Sequence, residues 1–133
     1  MKYFLDTNIC IYFLKNTFSN IRKELAAQKP GDISIASVVK AELLFGAKKS
    51  QNQKKNKQKI DTFLSPFKVI PFGDNETEAY AAIRAQLEKQ GAPIGANDML
   101  IAATVMANNG TLITNNEKEF KKIKGLKIQN WTK

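Results

Sequence analysis

The chain has 133 residues, 43% hydrophobic and 25% charged, with 21 Lys and Arg against 12 Asp and Glu, a net charge of +9. That length suits one domain over residues 1–133 with its own core, and the positive balance points to an anionic partner, nucleic acid first. There is no histidine and one cysteine, Cys10, so an intrachain disulfide, a Cys/His zinc site and histidine acid–base catalysis are excluded.

Lys2 to Leu5 reads as a short buried strand. Asn8 to Leu14 then opens a helix, capped by Thr7 or Asn8, with Cys10 and Tyr12 as core residues. Phe18 to Gln28 is a second helical stretch, closed by Pro30-Gly31. Ile33 to Ala36 is a strand, and Ser37 caps a helix running to about Lys49 with Val38, Ala41, Leu44 and Phe45 as its apolar face. From Lys48 to Lys59 come six lysines and no acid, a solvated connection or a basic patch for phosphates. The six are Lys48, Lys49, Lys54, Lys55, Lys57 and Lys59.

Asp61 to Phe67 is a mixed pattern and Lys68 to Pro71 a strand. Asp74 to Gln90 is an amphipathic helix with acids in its first turn and Gly91 after it. Asn97 to Asn109 is an apolar, buried helix with Gly110 at its C′ position. Thr111 to Thr114 is a strand, Glu117 to Ile123 a short helix, and Leu126 to Asn130 a last strand, followed by Trp131 as a packing or interface residue. Strands and helices alternate, which predicts an α/β layer fold with a mainly parallel sheet. Asp6 interrupts the apolar run where a signal sequence would need continuity, and the run Met99 to Ala107 is too short for a bilayer. The expectation is a cytoplasmic protein with no membrane partner.

In such folds sites gather at the carboxyl ends of the strands. Asp6 follows the first strand, Glu42 lies one to two turns into the helix after "ISIA", and Asp98 opens the apolar helix "MLIAATVMA". Asn115 and Asn116 follow "TLIT". Carboxylates crowded together raise one another's pKa unless a cation joins them. An oxygen-loving divalent ion, Mg²⁺ or Mn²⁺, meets that need and supports phosphodiester chemistry. A basic surface beside an acidic pocket reads as a nuclease. The rivals are a non-catalytic nucleic-acid-binding module and a DNA-binding regulatory-complex subunit of the same fold. A receiver-like signalling domain would need paired acids after the first strand, which are absent.

"FLDTNICIY", "AELLFGA", "NDMLIAA" and "LITNNEKEF" resemble, in order, the four motifs of the PIN domain, most closely those of VapC-type toxins of bacterial VapBC toxin–antitoxin pairs. The resemblance implies an α/β/α three-layer sandwich and a Mg²⁺- or Mn²⁺-dependent endoribonuclease whose motif acids fall on Asp6, Glu42 and Asp98. Many members carry Asp directly after the fourth-motif strand. Here Asn115 and Asn116 stand there, and Glu119, one turn on, is the candidate carboxylate. Thr7, Asn8 and Thr114 supply hydrogen bonds that orient carboxylates or metal waters, or else cap helices and shape turns. The resemblance further implies a transfer RNA substrate, the initiator species among them, a homodimer, and an inhibitory VapB-like, DNA-binding antitoxin. Such an antitoxin is expected to lay its C-terminal segment in an apolar groove around Ile11, Phe13 and Phe45 and to bring an Arg or Lys to the acids.

Overall fold

The computed structural model describes residues 1–133, and five short strands in it lie parallel in one sheet. They are β1 (Tyr3–Leu5), β2 (Ile33–Ala36), β3 (Lys68–Ile70), β4 (Thr111–Ile113) and β5 (Lys127–Gln129), each within two residues of its predicted ends. Parallel neighbours need long crossovers, and helices fill all of them. α1 (Thr7–Lys15) and α2 (Ser19–Ala26) join β1 to β2, and α3 (Ser37–Lys48) and α4 (Gln53–Leu64) join β2 to β3. α5 (Asp74–Lys89) and α6 (Ala96–Ala107) lead to β4, and the single turn α7 (Glu117–Phe120) leads to β5. This is the α/β sandwich that the alternation predicts.

The strand order is β3-β2-β1-β4-β5. The chain starts at the centre, moves outward to β3, and returns to place β4 on the free side of β1, Leu5 opposite Ile113. The direction of winding therefore reverses between β1 and β4, and a reversal opens a crevice at the carboxyl ends of its two strands. Phe4, Leu5, Ile33, Ile35, Leu112 and Ile113 are all essentially inaccessible, as in a sheet covered on both faces.

The join between α6 and β4 is tight. Asn109 takes the left-handed conformation at φ 54°, so it occupies the C′ position predicted for Gly110; asparagine tolerates that region. Gly110 has a different reason to be glycine. A Cβ there would meet the Phe4 ring at 2.6 Å and the Lys2 carbonyl oxygen at 3.2 Å. Gly110→Ala is expected to destabilise the fold by about 1–3 kcal/mol through this overpacking, read as a lower urea midpoint with unchanged slope.

Some predicted details are corrected. Helix α3 buries Val39, Leu43 and Ala47, while Ala41 and Phe45 face solvent and Val38 and Leu44 are half-buried. Ala36, not Ser37, is its N-cap. The lysine-rich stretch is no mere connection: from Gln53 it is the helix α4, which the mixed pattern over Asp61 to Phe67 concealed. Only Ile60, Phe63 and Leu64 anchor it in the core. Trp131 is buried, edge-on to Tyr3 at 5.3 Å, so it packs rather than presents a surface.

Candidate active site

Asp6 is the first residue past β1, and the backbone leaves the strand there because its side chain takes over as the cap of α1. Its Oδ1 accepts the Ile9 N–H at 2.9 Å, displacing Thr7 and Asn8 from the predicted capping role. Its Oδ2 accepts the Thr114 hydroxyl from across the β1–β4 crevice. Thr114 Oγ1 in turn accepts the Asn116 N–H at 2.9 Å, which leaves the hydroxyl proton aimed at Asp6. Asp6 is only 6% exposed. Burial pushes its carboxyl up to about 6, against the pull of the Thr114 hydroxyl and the Ile9 N–H, with repulsion from Asp98 adding to the rise.

Glu42 is fixed from two sides. Thr7 donates its hydroxyl to one carboxylate oxygen at 2.6 Å, and Asn97 donates its side-chain amide to the other at 3.1 Å. Asp98 sits in the first turn of α6, half-buried, its carboxyl raised above the ordinary range by burial and then by the charges of Glu42 and Glu119. Glu119, on α7, forms an ion pair with Lys122 at 3.3 Å. Four acids drawn from four separated segments thus act on one crevice. No three of them lie close enough to cage a metal ion unaided. The donor set is all oxygen, and it fits an ion that takes one or two carboxylates and keeps most of its water, as Mg²⁺ does.

The other predicted residues fall elsewhere. Asn8 is exposed on α1, where its backbone N–H favours the ionised form of Asp6. The Asn115 side chain turns toward the C-terminal segment and accepts from Asn130 at 3.0 Å and Thr132 at 3.1 Å. Asn116 contributes its backbone through Thr114 and caps α7. The six lysines do not form one face. Lys48, Lys54 and Lys57 line a cleft between α3 and α4, and Lys57 is paired with Asp61 at 2.6 Å. Lys55 and Lys59 face the other side, with Arg22, Phe13 and Phe63. A further cavity of about 430 Å³ runs from Glu42 between α1, α3 and α4, lined by Ile11, Leu43 and Ile60 with Lys15 and Lys59 at its rim. Phe45 lines neither groove, contrary to expectation. Asn97, Lys15 and Arg22 do not stand out in the sequence. An amide beside Asp98 in "ND" is a signal for the first, whereas the other two depend on how the helices pack.

A PIN domain model matches residues 3–126. A ribonuclease VapC2 of Rickettsia felis is 44% identical over 137 positions, covering 100% of both chains. A tRNA(fMet)-specific endonuclease VapC of Shigella flexneri is 35% identical, covering 99% of each. Among solved structures, VapBC2 of Rickettsia felis bound to a promoter DNA fragment has a TM-score of 0.90 at 41% identity, covering 98% of this chain and 99% of that one. DNA-bound VapBC of Salmonella typhimurium has a TM-score of 0.93 at 32% identity, covering 98% of each chain. By family model, full-length relatives and fold together, this chain belongs to the PIN-domain family and, within it, to the VapC ribonucleases.

Proposed function

We propose that this nuclease is a divalent-metal-dependent endoribonuclease, the toxin of a toxin–antitoxin pair, with Asp6, Asp98 and Glu42 holding Mg²⁺ or Mn²⁺ in part through the ion's own waters and Glu119 completing the charge. The observation that carries the reading is the convergence of these acids on the β1–β4 crevice, with Asp6 and Asp98 both pushed above the ordinary carboxylate range. Like charges held this way favour a cation. Bound there, the ion lowers the pKa of a water and offsets charge on a phosphodiester. Thr114 and the Ile9 N–H orient Asp6, and Thr7 and Asn97 orient Glu42, so each carboxylate presents fixed lone pairs.

Transfer RNA, the initiator species in particular, is the proposed substrate, because the Shigella relative is named for it. The test is cleavage by partner-free protein in Mg²⁺ or Mn²⁺. Activity is expected to vanish in excess chelator and to return when the ion is restored; undiminished cleavage in chelator would end the metal reading.

The basic side chains hold the substrate. Neutralising Lys54 and Lys55 to Gln is expected to lower RNA affinity and to reduce the slope of log K against log salt by about 0.7 for each phosphate that a lysine no longer neutralises. Lys57 is a poorer probe because Asp61 already occupies it. An unchanged slope assigns these lysines to solvation only.

The relatives solved as VapBC complexes support an antitoxin partner. The apolar grooves at Ile11 and Phe13 are its proposed seat, with a cationic side chain of the partner reaching Glu42, Asp98 and Asp6 in place of the metal.

A further inference from the structure

Past the crevice the chain carries a second run of cations. Residues 118–127 hold five lysines and one acid, Glu119. Lys122 is taken up by Glu119, and the neighbouring Glu117 is occupied by Asn130 at 2.9 Å and Lys133 at 3.0 Å. Lys118, Lys121 and Lys124 are exposed and enter no ion pair. The backbone beneath them is held firmly. Phe120 and Ile123 are buried in the core. From α5, the Gln86 side chain donates to the Lys122 carbonyl at 3.0 Å and accepts the Lys124 N–H at 3.3 Å. Lysines fixed in one short segment repel one another, and a bound anion relieves that repulsion.

The run starts at the rim of the acid crevice, where the charge of Glu119 bears on Asp98, and leads away from it. Lys118 and Lys122, four apart, share one face of α7 and of the turn that continues it through the Lys121 N–H to the Glu117 carbonyl at 2.9 Å. The chain then descends to Lys127, opposite Thr111 at the amino end of β4, about 10 Å below the crevice at the rise of a strand. Right-handed crossovers put α1–α4 on one face of the sheet and α5–α7 on the other, so α7 flanks the crevice across from the α4 lysines. We propose that Lys118, Lys121 and Lys124 form a second phosphate track, which holds the RNA strand on the α7 side of the cleavage site while the α4 lysines hold it on the other. The proposal rests on the ribonuclease reading and gives the substrate a path, over the crevice from one helical layer to the other. A second copy of the chain is a poor occupant, because a two-fold contact would set this lysine face against itself.

The test uses the full chain with excess chelator, so that an unstructured RNA oligonucleotide binds without being cut, over a range of salt concentrations. The triple variant Lys118→Gln, Lys121→Gln, Lys124→Gln is expected to bind on the order of 10-fold more weakly and to lower the slope of log K against log salt by about 2, at about 0.7 for each phosphate released. A control takes the same charge from exposed lysines away from the crevice, with Lys2, Lys23 and Lys29 changed to Gln, and is expected to keep the wild-type slope. Arginine at positions 118, 121 and 124 is expected to restore it. With Mg²⁺ or Mn²⁺ supplied, the loss in the triple variant is expected in KM. A wild-type slope in the triple variant overturns the proposal, as does an equal fall in the control, which assigns the effect to net charge. A triple variant that binds RNA as wild type does but has lost affinity for polyglutamate overturns it in favour of an acidic protein partner. Wild-type cleavage run in parallel separates the two readings. If wild type cuts RNA and the triple variant matches it in affinity and KM, the track alone fails; if wild type cuts no RNA in any divalent ion, the ribonuclease reading fails and the track with it.

Discussion

Asp6→Asn is expected to lower RNA cleavage by a factor on the order of 10²–10³ and, in the metal-free protein, to make the fold more stable at neutral pH. The two effects share one cause. Folding takes the Asp6 carboxyl from its ordinary 3.8 to about 6, because burial penalises the charge more than Thr114 and Ile9 favour it. Below about pH 3.8 both folded and unfolded chains hold this proton, and the residue does not distinguish them. Between there and about pH 6 only the unfolded chain ionises, so stability falls as pH rises. Above about pH 6 the full deficit, about 3 kcal/mol, is in place. Asparagine is neutral throughout. Its Oδ1 still caps Ile9, and its amide points at a Thr114 hydroxyl that can turn to accept. The metal-free variant is therefore expected to melt several degrees above wild type at pH 7.5 and level with it near pH 3.5. Added Mn²⁺ narrows the gap by stabilising the wild type alone. A variant less stable than wild type at pH 7.5 without metal would mean that Asp6 carries no burial penalty.

Thr114→Val is the second large effect. The side chain is fully buried and valine fills nearly the same volume, so the loss is confined to one hydroxyl. That hydroxyl has two partners, Asp6 Oδ2 and the Asn116 N–H, and both are left unpaired. Stability is expected to fall by about 1–3 kcal/mol. Cleavage or metal affinity is expected to drop roughly 10–100-fold, as for other groups that orient a ligand. The Thr114 hydrogen bond favours the charged form of Asp6, so without it the acid limb of the pH–rate profile moves to higher pH. Thr114→Ser keeps the hydroxyl and should keep both rate and profile. A valine variant that loses stability but retains the wild-type pH profile would make Thr114 a packing residue only.

The fold was legible in the sequence because parallel strands buried on both faces leave unbroken apolar runs such as "ISIA" and "TLI". Asp6 was legible as a site residue for a related reason: a carboxylate between "YFL" and "ICIYFL" has no ordinary place in a core. The phase of α3 was not legible. "SVVKAELLFGAK" offers neighbouring apolar residues at Val38–Val39 and Leu43–Leu44–Phe45, so two faces compete, and only packing chose Val39, Leu43 and Ala47. Helix α4 hid behind its composition, since its first two turns hold no buried side chain and no acid. Asn97 escaped because its role depends on Glu42, 55 positions away.

The pairing of β1 with β4 also sets a clock. Thr114 and Asp6 are 108 positions apart, and the Asp6 N–H is bonded to the Ile113 carbonyl at 3.0 Å. A ribosome delivers β1 long before β4, with contacts of such long range closing late. Until Thr111–Ile113 slides in beside Tyr3–Leu5, Asp6 lacks both its hydroxyl donor and the strand that walls its crevice. The machinery that makes this chain therefore handles a partial sheet with β1 as an open edge, and the crevice around Asp6 is complete only once β4 has been made and paired.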